Sequence, residues 1–319
     1  MSDLVLKLAD LESWSFSGTA LAVLGHPIGH SLSPAMHNAA LAMLAAADSR
    51  FSSWRYFRFD IDPADLPAAL PLLHARGFLG VNLTVPHKVI AAGLLAEVDD
   101  GARPVGAFNT LVRAAAGWRG FNTDGYGLSE GVRESLGRDL AGADVLLLGA
   151  GGAARGAAVE CLRSACSSLA IANRSRPGLD ALLALLRPLA GSIPVGGLLV
   201  EGGRPAAPSG GIRPGALVIN ATSAGLRPDE PPPVDLAALP RPSGVYDMVY
   251  NPPKSRLLER AGALGLPCAN GLSMLAHQGA RSLEHWSGVP AERTAAAMLA
   301  AARTAALQFA GGAATSPRQ

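Results

Sequence analysis

The chain has 319 residues, of which 49% are hydrophobic and 16% charged, enough for two domains that each bury an apolar core. Its formal net charge is only +2, with Lys and Arg scattered along the chain, so it offers no basic track for nucleic acid. No stretch approaches the roughly 18 uninterrupted apolar residues of a membrane span, and the acidic start MSDLVLKLADLESWSF does not read as a secretory leader.

The odd set Cys161, Cys166 and Cys268 has no metal or disulfide spacing and suits small core positions in a cytoplasmic protein. His26, His30, His37 and His87 likewise lack a metal signature, and His30 and His87 are expected to shape turns. Leu283 and Trp286 are expected in the core.

Thr19 to Leu24 predicts a strand, and Ser33-Pro34 opens an Ala-rich helix running to about Ala47, with Ser33 as N-cap and Pro34 at the first helical position. Trp54 to Ile61 predicts a second strand, Pro63 to Arg76 a helix, Leu79 to Thr84 a third strand, and Pro86, His87 and Lys88 the start of another helix. Gly106 to Arg113 and Trp118 to Asn122, separated by Ala116-Gly117, predict a hairpin, followed by a helix from Asp124 to Leu136.

The run DVLLLGAGGAARG from Asp144 then breaks from a buried strand into glycines and a helix. Gly149, Gly151 and Ala154 occupy the spacing of a G-x-G-x-x-G/A turn: one glycine turns the chain, the second admits a pyrophosphate, and the alanine lets helix and strand pack closely. The next strand, Ser168 to Ala172, ends at Asn173, Arg174 and Ser175, with no Asp or Glu to receive a ribose 2′-hydroxyl. A guanidinium suits a 2′-phosphate, so NADP is expected over NAD.

A helix from about Gly178 to Leu189 follows, then a Gly/Pro-rich stretch from Gly202 to Pro214 expected to be an unpaired surface loop. Leu217 to Asn220 and Val245 to Val249 are strands separated by the proline-rich Pro228 to Pro242, and Lys254 to Leu264 is a helix. Leu272 to Trp286 and Ala291 to Gln308 are helical without an intervening strand, so they are expected to pack back on the first domain, with GGAATSPRQ as a loose tail. The fold class is therefore α/β, an N-terminal open α/β substrate domain (residues 1–124 and 271–319) plus a Rossmann-type NADP-binding domain (125–270), with a cleft between them and a hinge at the two crossings.

Several polar residues gather at predicted strand ends: Ser31 and Ser33, Asn82 and Thr84 with Lys88 just beyond, and Asn109. Ligands bind outside the carboxyl ends of strands in an open α/β sheet, and converging hydroxyls and amides suit a hydroxyl-rich small molecule.

The segments GHPIGHSLSPAMHN, GVNLTVPHK, GAFNTLV, GFNTDGYG, LLGAGGAARG, ANRS, INATSAG, YDMVYNP and NGLSMLAHQGARSLEHWSG resemble, in order, the signatures of the shikimate dehydrogenase family over about Gly25 to Gly288. The resemblance implies reversible NADPH-dependent reduction of 3-dehydroshikimate to shikimate by a monomer or homodimer, with no nucleic-acid or membrane partner. By position it implies Ser31 and Ser33 on the substrate carboxylate, Asn82, Thr84, Asn109 and Gln278 on ring hydroxyls with Tyr250 nearby, and Lys88 and Asp124 as the catalytic pair. Gly149, Ala150, Gly151, Gly152 and Ala153 match the pyrophosphate turn, Asn173, Arg174 and Ser175 the 2′-phosphate site, Met248 and Gly271 the nicotinamide end, and Asp100 an acidic position assigned to the cofactor. Ser33 stands where quinate-using relatives often carry Thr, which favours shikimate. Quinate or aminoshikimate dehydrogenase, or a non-catalytic protein that binds shikimate and NADP, are the competing expectations.

Overall fold

In the computed structural model, residues 4–205, 211–227 and 230–313 are described. Residues 206–210 of the expected Gly/Pro loop, Pro228 at the start of the proline-rich segment and residues 314–319 of the expected tail lie outside them. The chain divides into two compact units, 1–123 with 276–319 and 124–275.

The first unit runs α1 (Leu8–Glu12), β1 (Thr19–Gly25), α2 (Ser33–Ala47), β2 (Trp54–Asp60), α3 (Leu66–Ala75), β3 (Gly80–Leu83), α4 (His87–Ile90), β4 (Glu97–Val98), β5 (Thr110–Ala114) and β6 (Gly117–Phe121). Its six-stranded sheet has the order β2-β1-β3-β5-β6-β4. The β2-β1-β3 half is parallel, because helical crossovers join those strands, and the β5-β6 hairpin adds antiparallel to β3. β1 is buried from Ala20 onward, as a strand covered on both faces must be. Leu24, Phe59, Phe78, Val81 and Leu111 form the centre of one face's core, into which Trp14 packs edge-on against Phe57 at 4.8 Å.

The second unit runs α5 (Asp124–Leu136), β7 (Asp144–Leu148), α6 (Gly152–Arg163), β8 (Ser168–Asn173), α7 (Arg176–Leu186), β9 (Val195–Glu201), β10 (Arg204–Pro205), β11 (Leu217–Asn220), β12 (Gly244–Asp247), α8 (Arg256–Ala263) and β13 (Cys268–Asn270). The strand order is β10-β9-β8-β7-β11-β12-β13, parallel except for the β9-β10 pair. The order reverses beside β7, which places a switch point at its carboxyl end. Leu146, Leu148, Val218 and Val245 are buried at the centre of this sheet. Cys161 and Cys166 are buried core thiols, and Cys268 is half-buried on β13.

α9 (Leu272–Ser287) crosses from the second unit to the first at Ala276, and α10 (Glu292–Ala313) packs on α2. Leu283 and Trp286 are buried, and the Trp286 indole donates to the Leu111 carbonyl at 2.9 Å, filling the space left by Gly80. Three expectations are corrected. The helix placed from Gly178 starts at Arg176, because the Ser175 hydroxyl accepts from Gly178 N at 3.4 Å and caps it. The glycine-rich stretch after Gly202 is not wholly unpaired, since Arg204 and Pro205 pair with β9. Gly311–Ala313 of the expected tail continue α10.

Candidate active site

In the first unit, β1 ends at Gly25 and the chain turns so that Ser31 N donates to the Ile28 carbonyl at 3.0 Å. The Ser31 hydroxyl accepts from Ser33 N at 3.3 Å. Ser33 is therefore not the N-cap: Leu32 holds that position, and Ser33 is the first residue of α2 because Ser31 already supplies an oxygen to its amide.

Thr84 follows β3, donating its amide to the Leu24 carbonyl at 2.9 Å and accepting from His87 N at 2.8 Å. Lys88 is the second residue of α4, and its carbonyl accepts from Phe108 N at 2.8 Å. His87 is fully buried and donates Nε2–H to the Ile61 carbonyl at 2.9 Å, tying α4 to the end of β2; burial lowers its pKa.

Asn82, Asn109 and Gln278 come together in one buried lattice. Asn82 Nδ2 donates to the Asn109 carbonyl at 2.9 Å, with Ser282 Oγ at 3.0 Å and Thr110 Oγ1 at 3.1 Å. Asn109 Nδ2 donates to Gln278 Oε1 at 3.0 Å and Thr123 Oγ1 at 2.9 Å, while its Oδ1 accepts from Thr123 N at 2.8 Å. Thr123 Oγ1 in turn donates to the Gln278 carbonyl at 3.0 Å. Asn109 and Gln278 are 1% and 9% exposed, so these groups are desolvated and their hydrogen bonds fix both position and donor sense. Thr110, Thr123 and Ser282, which lie in segments resembling the family, also belong to this lattice and meet through the pairing of β3 with β5 and the return of α9, and Tyr56 joins from β2 by donating to Asn82 Oδ1 at 2.7 Å. Asp100 lies in the turn after β4, its side chain 98% exposed and facing Arg103 at 3.4 Å.

In the second unit, Asp124 is the first residue of α5 and half-buried. Gly149 follows β7 with φ +110°, and a Cβ there would lie 3.0 Å from Thr222 Cγ2 and 3.2 Å from the Ala221 carbonyl. Gly151 has open space where its Cβ would be, and Ala154 is fully buried against the sheet. Ala150 is half-buried while Gly151, Gly152 and Ala153 are exposed at the N-terminus of α6, whose amides suit an anion. A cavity of about 1000 Å³ opens here, lined by Gly149, Gly151, Asn173, Arg174 and Thr222, with the proline-rich segment 231–237 as its other wall. Arg174 is exposed, and Asn173 Nδ2 donates to the Ser175 carbonyl at 2.9 Å. The residues thus fit a dinucleotide phosphate: bare backbone at the turn, a guanidinium at the end of β8, and no acid there to repel it.

Asp247 and Asn220 are the last residues of two neighbouring strands. Asp247 Oδ1 accepts from Asn220 Nδ2 at 2.8 Å and Val249 N at 3.1 Å, and its Oδ2 accepts from Ser255 Oγ, which also caps α8. Asn220 Oδ1 accepts from Thr222 N at 3.0 Å and Oγ1 at 2.7 Å. One buried carboxylate therefore sets both the Thr222 loop beside Gly149 and the Met248 to Tyr250 segment; burial raises its pKa, and its three donors oppose that. Gly271 lies where a Cβ would collide with the Met248 carbonyl, and Tyr250 is half-buried just beyond.

A family profile described as the shikimate dehydrogenase substrate binding domain matches residues 23–111, and one described as the shikimate 5′-dehydrogenase C-terminal domain matches 271–303. A shikimate dehydrogenase (NADP⁺) of Symbiobacterium thermophilum is 41% identical over 88% of this chain and 94% of its own length. Among solved structures, shikimate 5-dehydrogenase from Thermus thermophilus, in complex with NADP(H) and shikimate, aligns with TM-score 0.73 and 34% identity over 90% of this chain and 99% of that one. The ligand-free 5-ketofructose reductase of a Gluconobacter strain aligns with TM-score 0.73 and 29% identity over 89% and 99%. With identity at that level spread over nearly the whole chain, and with the same two-domain α/β fold, this chain belongs to the shikimate dehydrogenase family.

Proposed function

We propose that this protein is a cytoplasmic NADP-dependent oxidoreductase that interconverts shikimate and 3-dehydroshikimate, with the first unit taking the substrate and the second the cofactor. The observation that carries the reading is the desolvated lattice of Asn82, Asn109, Thr123 and Gln278, which suits a small molecule bearing several ring hydroxyls. A site built to hydrogen-bond hydroxyls rejects analogues lacking them, because its own groups would be left unpaired.

Ser31 and Ser33 hold the carboxylate, and Asn82, Thr84, Asn109, Gln278 and Tyr250 the ring hydroxyls. Gly149 to Ala153 receive the pyrophosphate, Asn173 to Ser175 the 2′-phosphate, and Met248 and Gly271 border the nicotinamide. NADP, when bound, supplies or accepts the hydride. Lys88 donates a hydrogen bond to the reacting oxygen as charge grows there and delivers its proton when the ketone is reduced. Asp124 is the other member of the catalytic pair and accepts from the substrate hydroxyl.

Arg174 and the lack of an acid after β8 support NADP over NAD. The name of the Symbiobacterium relative agrees. The test is initial rate at 340 nm with shikimate or quinate against NADP⁺ or NAD⁺. Fast turnover is expected only with shikimate and NADP⁺; a preference for quinate or NAD⁺ would refute the assignment of Ser33 or of Arg174, respectively.

A further inference from the structure

Leu148, Asn220, Asp247 and Asn270 close neighbouring strands of the second unit and lie in one register row, so three polar residues share the carboxyl edge of its sheet. Asp247 and Asn220 are fully buried there and are absent from the lining of the nucleotide cavity. A carboxylate in that position is costly unless its oxygens are hydrogen-bonded.

Every hydrogen-bonding atom of the Asn220 side chain is engaged. Its Nδ2 gives one hydrogen to Asp247 Oδ1 at 2.8 Å and the other to the Ala224 carbonyl at 3.2 Å, while its Oδ1 accepts from Thr222 N at 3.0 Å and Thr222 Oγ1 at 2.7 Å. A carboxylate can only accept, so Asp247 decides which end of this amide faces it and hence which end faces Thr222. The Thr222 hydroxyl, its hydrogen given to Asn220, accepts from Ala224 N at 3.1 Å and closes the loop on itself. Gly225 then rests on Ser255: at φ +106°, a Cβ there would lie 3.0 Å from Ser255 Cβ. Ser255 is also the donor to Asp247 Oδ2.

On its other side, Asp247 Oδ1 accepts from Val249 N at 3.1 Å, a local turn that leads the chain out of β12. Met248 N donates to the Asn220 carbonyl at 3.0 Å, and Gly271 N to the Val249 carbonyl at 3.3 Å. Two segments therefore end on one carboxylate: 248–250, and the loop 221–225 whose Thr222 Cγ2 would lie 3.0 Å from a Gly149 Cβ. The end of β8 is built separately, with Asn173 Nδ2 on the Ser175 carbonyl and Ser175 Oγ on Gly178 N. We propose that Asp247 is a positioning residue for the cofactor: as an acceptor behind the cavity wall it sets the pyrophosphate and nicotinamide sides as one piece and leaves the 2′-phosphate end independent.

This inference rests on the NADP reading above, and the experiment separates the two. Wild-type protein, Asp247→Ala and Asp247→Asn are titrated without shikimate against NADP⁺ and against adenosine 2′,5′-bisphosphate, which carries the 2′-phosphate and lacks the nicotinamide. Asp247→Ala is expected to raise the NADP⁺ Kd about tenfold and to leave the bisphosphate Kd within about twofold. Asp247→Asn can keep its Oδ1 on Asn220 and Val249 and turn its amide to Ser255 Oγ, so both Kd values should stay within about threefold of wild type. An unchanged NADP⁺ Kd in Asp247→Ala, an equal weakening of both ligands, or an Asp247→Asn variant as weak as Asp247→Ala would overturn the proposal and leave the cofactor reading intact. Wild-type protein that binds neither ligand would overturn both. If Asp247→Ala does not fold, Ser255→Gly replaces it, removing the Oδ2 donor and the surface under Gly225 at little cost to the cap of α8. The NADP⁺ Kd is then expected to rise about fivefold with the bisphosphate Kd unchanged, and an unchanged NADP⁺ Kd refutes the positioning role.

Discussion

Lys88 has a backbone held independently of its side chain, since its carbonyl accepts from Phe108 N at 2.8 Å and the neighbouring His87 is pinned to Ile61. Lys88→Ala is therefore expected to leave Tm and NADP⁺ affinity near wild type and to reduce kcat by a factor on the order of 10² or more. A loss of Tm matching the loss of rate would count against a chemical role. His37 gives a separate prediction about stability. Burial pushes its pKa down from 6.5 to about 4. Between those values the unfolded chain binds the proton and the folded one does not, so the stability from keeping His37 neutral is complete above about pH 6.5 and is lost as pH falls through about 4. The swing is on the order of 3 kcal/mol, and His87, also lowered by burial, acts in the same direction. His37→Asn should flatten the fall in Tm between pH 6.5 and 4, and an unchanged slope would assign it to other groups.

The nucleotide turn separates two reasons for a glycine within three residues. Gly149 needs a positive φ and has Thr222 and Ala221 against it, so Gly149→Ala is expected to cost about 1–3 kcal/mol of stability and to lower Tm even without cofactor. Gly151 has ordinary φ and empty space, and it stands at the N-cap of α6. Gly151→Ser should leave the Tm of the free protein unchanged and weaken NADP⁺ binding roughly tenfold, measurable by titration; a lowered Tm would show that the turn, and not the ligand, requires that glycine. This element was legible because the spacing of Gly149, Gly151 and Ala154 is local and periodicity flanks it. β9 was not, because VGGLLVE opens on two glycines and resembles a loop, and β13 has only three residues, too few to show a period. The N-cap falls one position before Ser33 because a serine two residues earlier supplies the capping oxygen. The lattice was legible only in part: Asn82, Asn109, Gln278 and Ser282 lie in segments matching the family, whereas Tyr56 lies in none of them and reaches Asn82 only through strands distant in sequence.

At the scale of the whole molecule, one unit is continuous and the other is closed by the end of the chain. Residues 276–313 bring Gln278 and Ser282 to the lattice, Trp286 to the Leu111 carbonyl and α10 to α2. A chain stopped after Leu275 is expected to retain NADP⁺ affinity and a cooperative melt from its second unit, and to lose the shikimate-induced rise in Tm. Persistence of that rise would mean the first unit completes its site without α9. Thr123 and Gln278, whose carbonyl accepts from the Thr123 hydroxyl, are 155 residues apart. On a translating ribosome the later one emerges on the order of ten seconds or more after the earlier, by which time everything needed for 124–275 has already been made. The cofactor unit, encoded second, is therefore the first able to finish folding, and the nascent substrate unit waits with the polar groups of β3 and β5 uncovered, the interval in which a holding chaperone would matter most to the yield of this protein.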